Sequence, residues 1–343
     1  MKILSIIGAR PQFVKSAVFR KRCADVGIDE VLLHTGQHYD HLMSLGIFDE
    51  LDVKAPDISY TLSARSHGGM TGELITKIEQ TIIDIKPDLV NLYGDTNTTL
   101  AGALAAAKLH VPISHIEAGL RSFNKRMPEE VNRIIADHVS TYLFCPTLQS
   151  VKHLQNENIT QGVFHVGDIM FDAIKMFKAK FKTPKGIGAL SDNKIALLTV
   201  HRAENVTNCE VMNEIVEYCK KYSAEYQIIF PAHPNTRKIL EQFSIDLGPI
   251  KLIEPISYLE MQGLLSMTNL VLTDSGGLQK EAYFHGCECV TLRDETEWVE
   301  TIEYGWNRLW KAPVSRSKLN NISEYGNGNA CDEIITRLTS GLT

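Results

Sequence analysis

The sequence predicts an α/β protein built from two doubly wound domains that face each other across a cleft. Its 343 residues are enough for two domains of ordinary size. Short apolar runs rich in Ile, Val and Leu alternate with segments of helical period, which is typical of βα units on a parallel sheet. The alternation stops once, between residues 175 and 193, and then starts again, so the chain has two similar halves.

The first domain is predicted to span residues 1–175 and to start with a buried strand at Lys2–Ile7. A segment of helical period at Phe13–Val26 follows that strand, so the chain opens with a βα unit. Later strands are predicted at Leu89–Tyr93, Ile113–Ile116, Tyr142–Cys145 and Val163–His165, and later helices at Thr98–Lys108, from Pro128 and from Leu148.

The second domain is predicted to span residues 190–325. We interpret the stretch before it, from about Lys175 to Asn193, as the end of a helix followed by a linker, because it carries Lys, Gly and Pro but no strand pattern. Helical material follows each strand of this domain, as in the first. The strands are predicted at Ile195–Thr199, Gln227–Phe230, Lys251–Ile253, Leu270–Thr273 and Cys289–Leu292.

Composition and charge exclude several classes of protein. The chain is 44% hydrophobic and 22% charged, unlike a disordered, collagenous or coiled-coil chain. Its 35 Lys and Arg against 41 Asp and Glu give a net charge of −6 without blocks of like charge, which argues against binding to nucleic acid or to an anionic membrane. No apolar run approaches the roughly 18 residues that span a bilayer, and the N-terminus resembles a strand rather than a signal peptide. We therefore expect a cytoplasmic protein.

The cysteines and histidines do not indicate a metal site. Seven cysteines, an odd number, are scattered along the chain without a CxxC pair, so the sequence favours neither a disulfide framework nor a zinc site. The histidine spacing typical of a metal site is also absent. We expect reduced thiols in the core and no metal.

Polar clusters follow several of the predicted strands. Ligands of doubly wound sheets bind beyond the carboxyl ends of the strands, so these clusters are the candidate functional residues. They are Gly8-Ala9-Arg10-Pro11-Gln12, His34-Thr35-Gly36-Gln37-His38, Gly94-Asp95-Thr96-Asn97, Glu117-Ala118-Gly119-Leu120-Arg121, His201-Arg202-Ala203-Glu204, His233-Pro234-Asn235 and Asp274-Ser275-Gly276-Gly277.

The first of these clusters could hold a phosphate. It lies at a strand-to-helix turn, where helix N-terminal amides and the side chain of Arg10 favour an anion, and Lys15 would reach inward from the first helical turns. The GxGxxG pattern of a dinucleotide-binding turn is missing, so the sequence indicates no nicotinamide cofactor. A tight turn with Pro11 and two solvated cations is the alternative interpretation.

The last cluster predicts a second phosphate-type turn. Gly276 and Gly277 would let the backbone approach a diphosphate, Ser275 could donate a hydrogen bond, and Glu281 could accept from ribose hydroxyls. A Ser N-cap followed by an ordinary helical Glu would explain the same residues. Two βα domains with a phosphate-type turn each suit a nucleotide diphosphate sugar that lies across the cleft.

Carboxylates cluster near strand ends of the first domain. Asp95, Glu117, Glu129 and Glu130 are the residues concerned. Convergent carboxylates raise one another's pKa values and can act as general acid and base. Each also has a structural interpretation, because Asp95 could cap a helix and the other pair would suit the first turn of the helix that starts at Pro128. That structural interpretation is strongest for Glu130.

Imidazole and guanidinium groups follow the first two strands of the second domain. His201 and Arg202 come after the first strand and His233 after the second, so these side chains would point into the cleft. They could bind phosphate or supply a proton. We interpret most of the other histidines as core or surface residues, such as His110, His138, His153, His165 and His285.

Seven ordered motifs resemble those of the non-hydrolysing UDP-N-acetylglucosamine 2-epimerases. The resemblance extends from residue 1 to the segment that starts at Tyr325, and the seven motifs together are highly specific although each alone is weak. They are Gly8–Lys15, Gly94–Thr99, His115–Arg121, Pro128–Arg133, His201-Arg202, Thr273–Gln279 and Arg293–Glu297.

The resemblance implies a fold and a reaction. The fold is of the GT-B type, with the last helix, residues 326–343, returning to the N-terminal domain. The reaction is epimerisation at C2 of a UDP-2-acetamido sugar through loss of UDP to a 2-acetamidoglucal and its re-addition, for surface polysaccharide precursors. No cofactor is required, and a homodimer is expected.

The resemblance also implies roles for individual residues. The catalytic candidates are Asp95, Glu117, Glu129, His201 and Lys15, with the three carboxylates as acid and base. The candidates for binding UDP and its phosphates are Arg10, Arg202, His233, Ser275, Gly276, Gly277 and Glu281, the last on the ribose.

Two departures from the family pattern bear on the sugar. The usual first turn is Gly-Thr-Arg-Pro-Glu, whereas here Ala9 and Gln12 replace Thr and Glu, and the usual Glu-Arg-Pro-Glu is Glu297-Trp298-Val299-Glu300. Loss of a carboxylate would ease binding of a more anionic substrate, to which Gln12 could donate a hydrogen bond. These variants resemble the branch of the family that epimerises UDP-2,3-diacetamido-2,3-dideoxyglucuronate, so the resemblance implies that sugar as the alternative substrate. A GT-B glycosyltransferase, a hydrolysing epimerase and a non-catalytic UDP-sugar sensor are the alternative functions.

Overall fold

The computed structural model describes residues 1–37, 41–64, 66–187, 194–313 and 319–341. The chain divides into two compact units. The first consists of Met1–Met176 with Ser323–Thr343, and the second of Phe177–Ile322.

The second unit starts earlier than the predicted bound of residue 190. Part of the predicted linker packs on this unit, since the Lys182 amide donates to the carbonyl of Leu259 (3.2 Å). A side chain at Gly263 would collide with the Lys182 carbonyl, which explains why glycine stands there. Residues 188–193 of the predicted linker lie outside the described residues.

The first unit contains a seven-stranded sheet with helices packed against it. Its strands are β1 (Lys2–Ile7), β2 (Asp29–His34), β3 (Ile58–Ser59), β4 (Leu89–Tyr93), β5 (Ile113–Ile116), β6 (Tyr142–Cys145) and β7 (Val163–His165). Its helices are α1 (Arg10–Asp25), α2 (His41–Leu51), α3 (His67–Ile85), α4 (Asn97–Lys108), α5 (Pro128–Val139), α6 (Leu148–Asn156), α7 (Ile169–Phe177) and α14 (Ala330–Gly341). The strand order is β3-β2-β1-β4-β5-β6-β7, and the described pairs are all parallel.

The second unit contains a six-stranded parallel sheet. Its strands are β8 (Lys194–Thr199), β9 (Tyr226–Pro231), β10 (Lys251–Ile253), β11 (Leu270–Thr273), β12 (Glu288–Thr291) and β13 (Asn307–Leu309). Its helices are α8 (Ala203–Val206), α9 (Cys209–Lys220), α10 (Pro234–Gln242), α11 (Tyr258–Leu265), α12 (Gly276–Phe284) and α13 (Val299–Glu303). The strand order is β10-β9-β8-β11-β12-β13.

These two sheets confirm the prediction of two doubly wound α/β domains. Every residue of β4, β5 and β11 is buried, because helices cover a parallel sheet on both faces. Such strands are continuous apolar runs, which is why the sequence predicts them. It predicts no strand at β3, which has only two residues, or at β13, although β13 is as long as the predicted strands β7 and β10.

The last helix packs on the first unit. Asp172 of α7 accepts hydrogen bonds from the amides of Ala330 (3.1 Å) and Cys331 (2.7 Å), which would otherwise lack an acceptor at the N-terminus of α14. The apolar face of α14 is buried, and the helix contacts α1. These contacts join residues at the two ends of the chain in one unit.

Both sheets have a topological switch point, where the strand order reverses. These points lie between β1 and β4 in the first unit and between β8 and β11 in the second. Ligands of doubly wound sheets bind beyond such points. The polar clusters that follow β1, β4, β8 and β11 therefore lie where the fold places a ligand.

Three further features concern only the described residues. No helix among them is both long and apolar enough to cross a membrane. The cysteines are free, and all but Cys209 are buried. Within the same residues, no group of three or more His, Cys, Asp or Glu side chains is arranged to hold a metal ion.

Candidate active site

A buried ion pair joins two predicted catalytic residues in the first unit. Lys15, on the second turn of α1, is only 4% exposed, and its Nζ contacts Oε2 of Glu117, which follows β5. A side chain at Gly94 would lie 3.4 Å from the same Glu117 oxygen. The turns after β1, β4 and β5 therefore meet at the Glu117 carboxylate.

Glu117 has a strained backbone conformation. Its φ of 75° lies in the left-handed region, which costs a non-glycine residue about 1–3 kcal/mol. Its amide donates to the carbonyl of Phe144 (3.0 Å), as does that of Ala118 (3.0 Å). Strain of this kind persists where surrounding contacts fix the backbone, and it is common at functional sites.

Asp95 lies at the switch point and is held by helix α5. The guanidinium of Arg133 contacts its carboxylate, and Asn132 Nδ2 donates to its carbonyl (2.9 Å). Burial raises the pKa of Asp95 above its ordinary value. The nearby Glu117 adds to this rise, whereas Arg133 and Lys15 oppose it. A carboxyl with a raised pKa suits proton transfer near neutral pH.

Glu130 makes structural contacts, but with a loop and with Arg133 rather than only as a charge at the start of α5. Its carboxylate accepts hydrogen bonds from the amides of Ser122 (2.9 Å) and Phe123 (2.8 Å). It also forms an ion pair with Arg133 (3.0 Å). These contacts hold the loop that leads into α5. Arg133 thus joins that loop to the Asp95 turn, a role that the sequence motif alone did not reveal.

A second buried network supports the turn that carries Asp95. His115 contacts the carbonyl of Gly94 through Nε2 (2.7 Å) and Asp137 through Nδ1 (2.7 Å). Burial raises the pKa of Asp137, but hydrogen bonds and charges from His115 and Arg121 outweigh it, and the net shift is downward. Arg121 also forms two hydrogen bonds to Glu157 (2.6 and 2.8 Å). This network fixes the carbonyl that precedes Asp95.

Two other predicted residues of the first unit are exposed. Arg10 is the first residue of α1, and Glu129 lies in the first turn of α5. Neither side chain forms a hydrogen bond or an ion pair within the part of the chain that the structure describes. Both remain candidates for contact with a ligand, but the structure joins neither to the Lys15–Glu117 pair.

Gln12 does not have the free donor that the sequence led us to expect. It is 2% exposed, and its Oε1 accepts from the amides of Gly8 (2.7 Å) and Ala9 (3.0 Å). Its Nε2 donates to the carbonyl of Tyr93 (2.6 Å) and lies 3.1 Å from the Thr96 hydroxyl. The expectation that Gln12 donates to a sugar is therefore wrong, because these groups use both ends of its amide.

In the second unit, Asp274 organises the turn after β8. Its buried carboxylate accepts from the amides of His201 (3.0 Å) and Arg202 (2.9 Å) and from Asn205 Nδ2 (3.0 Å). The His201 side chain is 56% exposed, and that of Arg202 is partly exposed, with its nearest carboxylate 3.6 Å away on Glu204. The turn therefore presents an imidazole and a guanidinium at the switch point of this unit.

The α12 N-terminus forms the other side of that switch point. Ser275 is the N-cap residue, and its side chain makes no capping hydrogen bond. A side chain at Gly276 would collide with the carboxylate of Glu297, whereas one at Gly277 would enter open space. Gly277, rather than Gly276, leaves the helix end accessible, which suits the approach of a phosphate.

Glu281 and His233 differ in how the fold uses them. Glu281 is partly exposed on the second turn of α12, and Gln262 Nε2 donates to its carboxylate (2.9 Å). His233 is the N-cap residue of α10, where its Nδ1 accepts from the amide of Asn235 (3.3 Å). His233 is exposed, so this cap leaves its other ring nitrogen available to solvent.

A family model described as UDP-N-acetylglucosamine 2-epimerase matches residues 21–339 of the chain. The chain belongs to this family. The match includes six of the seven motifs identified in the sequence and begins near the end of α1, after the first motif. Members of this family are epimerases, so the protein is an isomerase.

Relatives of this family member act on two kinds of sugar. A UDP-2,3-diacetamido-2,3-dideoxy-D-glucuronate 2-epimerase of Pseudomonas aeruginosa is 48% identical over 314 residues, 90% of this chain and 88% of that protein. A UDP-N-acetylglucosamine 2-epimerase of Methanococcus maripaludis is 43% identical over 322 residues, 90% of this chain and 87% of that protein.

A solved structure of the family aligns along the whole chain. The UDP-N-acetylglucosamine 2-epimerase of Methanocaldococcus jannaschii, in complex with UDP-N-acetylglucosamine and UDP, is 38% identical and has a TM-score of 0.88. The alignment covers 99% of this chain and 100% of that one. It confirms the predicted fold class, two Rossmann-like domains of the GT-B type.

Trp298, part of the second departure from the family pattern, packs against a buried lysine. Trp298 stands where the pattern has Arg, and its ring centroid lies 3.8 Å from the ammonium of Lys280. Both side chains are nearly fully buried. An arginine at residue 298 would face Lys280 with like charge, so the stacked pair gives a packing reason for the tryptophan.

Proposed function

We propose that this epimerase interconverts UDP-N-acetylglucosamine and UDP-N-acetylmannosamine by elimination and re-addition of UDP. The observation that carries the proposal is the convergence of the Lys15–Glu117 pair and the Arg133-bound Asp95 beyond the carboxyl ends of β1, β4 and β5. The family membership gives the reaction class, and the site supplies groups that can perform its proton transfers.

The chemistry requires a base, an acid and a stabilised leaving group. The base removes the C2 proton, the electrons of that bond form the C1–C2 double bond, and the C1–O bond breaks to release UDP. The C2 proton is weakly acidic, so expulsion of the UDP anion must accompany its removal. Return of UDP to C1 and of a proton to the opposite face of C2 completes the epimerisation.

We assign the proton transfers to Asp95, Glu117 and Glu129. The raised pKa of Asp95 and the strained, ion-paired position of Glu117 support roles for those two. Lys15 would hold the Glu117 carboxylate in place and favour its ionised form. Glu129 has weaker support, since only its exposed position near the start of α5 favours a contact with substrate.

We assign UDP to the turns of the second unit, with Arg10 as a further cation from the first. His201, Arg202 and His233 would neutralise the diphosphate, and His201 could also supply a proton to it. Ser275, Gly276 and Gly277 would hold a phosphate at the α12 N-terminus, and Glu281 would accept from the ribose hydroxyls. The open space at Gly277 and the uncapped Ser275 support this assignment.

UDP-2,3-diacetamido-2,3-dideoxyglucuronate is the second candidate substrate. The 48% identity to an epimerase named for that sugar favours it. Gln12 does not favour it, because that side chain is buried and hydrogen bonded at both ends of its amide. UDP-N-acetylglucosamine is still our first choice of substrate, because several relatives are named for it.

We further propose a cytoplasmic homodimer that supplies precursors of a surface polysaccharide. The free cysteines are compatible with a reducing compartment, where the thiols would stay reduced. Analytical ultracentrifugation at several protein concentrations would test the dimer, and a monomer at all of them would contradict it.

Proton NMR of the protein with each UDP-sugar in deuterated water tests the reaction. Deuterium should appear at C2 of both epimers, because the C2–H bond breaks and is remade from an exchangeable acid. A glycosyltransferase would not convert the sugar without an acceptor, and a hydrolysing epimerase would release a free sugar. Conversion with the original hydrogen retained at C2 would rule out this mechanism.

A further inference from the structure

The carboxylate of Glu281 is held by a side chain that the family motifs do not include. Gln262 of α11 is completely buried, and its Nε2 donates to Oε2 of Glu281 (2.9 Å). The two residues lie on neighbouring helices of the second unit and are 19 positions apart in the chain. Glu281 itself is partly exposed, so Gln262 reaches it from the protein interior.

Glu281 determines which way the Gln262 amide points, and His285 contacts the other end of that amide. His285 Nε2 lies 2.7 Å from Oε1 of Gln262, at the C-terminal end of α12. An amide oxygen only accepts and an ionised carboxylate only accepts, so the amide must turn its NH2 group to Glu281 and its oxygen to the imidazole. His285 therefore carries a hydrogen on Nε2 and donates it to Gln262.

The surroundings of His285 keep that arrangement over the pH range of ordinary assays. Burial, together with the charge of Lys178, lowers the pKa of His285 to about 4. The ring of Phe181 lies 5.8 Å from the imidazole, centroid to centroid. Above about pH 5 the imidazole is neutral, and its single N–H is committed to Gln262.

We propose that Gln262 and His285 are positioning residues for the ribose of the substrate. They form a chain of two hydrogen bonds that fixes the Glu281 carboxylate before the nucleotide arrives. A carboxylate already held in one orientation loses less rotational freedom when ribose hydroxyls bind to it. This inference rests on the ribose role assigned to Glu281 in the proposed function.

Calorimetry with UDP and with 2′,3′-dideoxy-UDP, which lacks the ribose hydroxyls, tests the proposal. The wild type should bind UDP at least about tenfold more tightly than the dideoxy compound, as lost charge-assisted hydrogen bonds predict. Gln262→Met should reduce that ratio to about threefold or less, mainly through weaker UDP binding. His285→Leu should act in the same direction, and His285→Gln, which keeps an N–H donor, should restore most of the ratio.

Leu265→Ala is the matched control, because it destabilises the buried face of the same helix without touching the chain of hydrogen bonds. It should lower the melting temperature and leave the UDP-to-dideoxy ratio unchanged. If Gln262→Met weakened the binding of UDP and of the dideoxy compound by the same factor, or weakened neither, the affinity ratio would be unchanged and the proposal would be overturned. A wild type that does not distinguish the two ligands would remove the ribose role of Glu281 and the proposal with it. C2 deuteration by the wild type tests the proposed reaction separately.

Discussion

Lys15 and Glu117 form an ion pair across 102 positions of the chain. Both side chains are largely buried, at 6% and 13% exposure. Removing one partner of such a pair leaves an uncompensated charge, which costs far more than breaking a surface pair. The pair therefore constrains how any substitution at Glu117 should be designed and interpreted.

Glu117→Gln should bind UDP almost normally but turn over at least about a hundredfold more slowly. The amide keeps the shape of the side chain and can still accept from Lys15, but it cannot take or give the C2 proton. Turnover is measured by NMR and UDP affinity by calorimetry. Glu217→Gln, in a surface pair with Lys220 (2.7 Å), is the control and should retain full turnover. Near-normal turnover of Glu117→Gln would mean that Glu117 is a structural carboxylate.

Arg133→Met should move the acidic limb of the pH profile of kcat/KM upward by about 1–2 pH units. Arg133 lowers the pKa of Asp95 against the effect of burial, so its loss should raise that pKa further. A base with a higher pKa is deprotonated only at higher pH, which gives the sign of the shift.

Two further variants separate the change in the Asp95 pKa from a disturbance of the loop that leads into α5. Arg126→Met removes an exposed cation near the same loop and should leave the limb in place. Glu130→Gln weakens the loop contacts but keeps the Arg133–Asp95 pair, so it should not reproduce the shift. An acidic limb that is identical in Arg133→Met and wild type would show that Asp95 is not the titrating group.

The sequence predicts where the site lies better than it predicts how the site is held. Clusters such as that of Asp95 follow buried strands, and the switch point of a doubly wound sheet brings strand ends together in any such protein. The Arg133–Asp95 contact depends on how α5 packs, and no local pattern contains that information.

Gln12 and His285 illustrate the same limit. The sequence gives the type of each polar side chain, but it does not give the hydrogen-bond partners. The sequence suggests that Gln12 contacts a substrate, whereas in the structure it joins the turns after β1 and β4. The sequence suggests only a core or surface position for His285, because its partner Gln262 lies on another helix. Polar residues in a fold of this kind are interpretable only once the neighbouring elements are placed.

Gln12→Glu should lower kcat/KM for both candidate sugars by the same factor. The glutamate would leave the Tyr93 carbonyl with only the Thr99 hydroxyl as a side-chain donor (2.8 Å) and place a carboxylate oxygen beside that carbonyl, which costs about 1–3 kcal/mol of stability. Urea unfolding should detect that loss, and parallel assays with the two UDP-sugars give the factor. Gln155→Glu, at an exposed position of α6, is the control and should affect neither quantity. A loss confined to the uronic acid would mean that residue 12 discriminates between the sugars after all.

Trp298→Arg should destabilise the second unit by about 2–4 kcal/mol, because the new guanidinium would be buried beside the Lys280 ammonium. Adding Lys280→Glu should recover at least about 1 kcal/mol relative to the sum of the two single substitutions, since the pair would then have opposite charges. Trp298→Phe, which keeps an aromatic face over the ammonium, should cost less than Trp298→Arg. Chemical unfolding of the four proteins of this cycle gives the coupling energy. Additive effects would show that the stacking of residues 280 and 298 does not explain the departure from the Glu-Arg-Pro-Glu pattern.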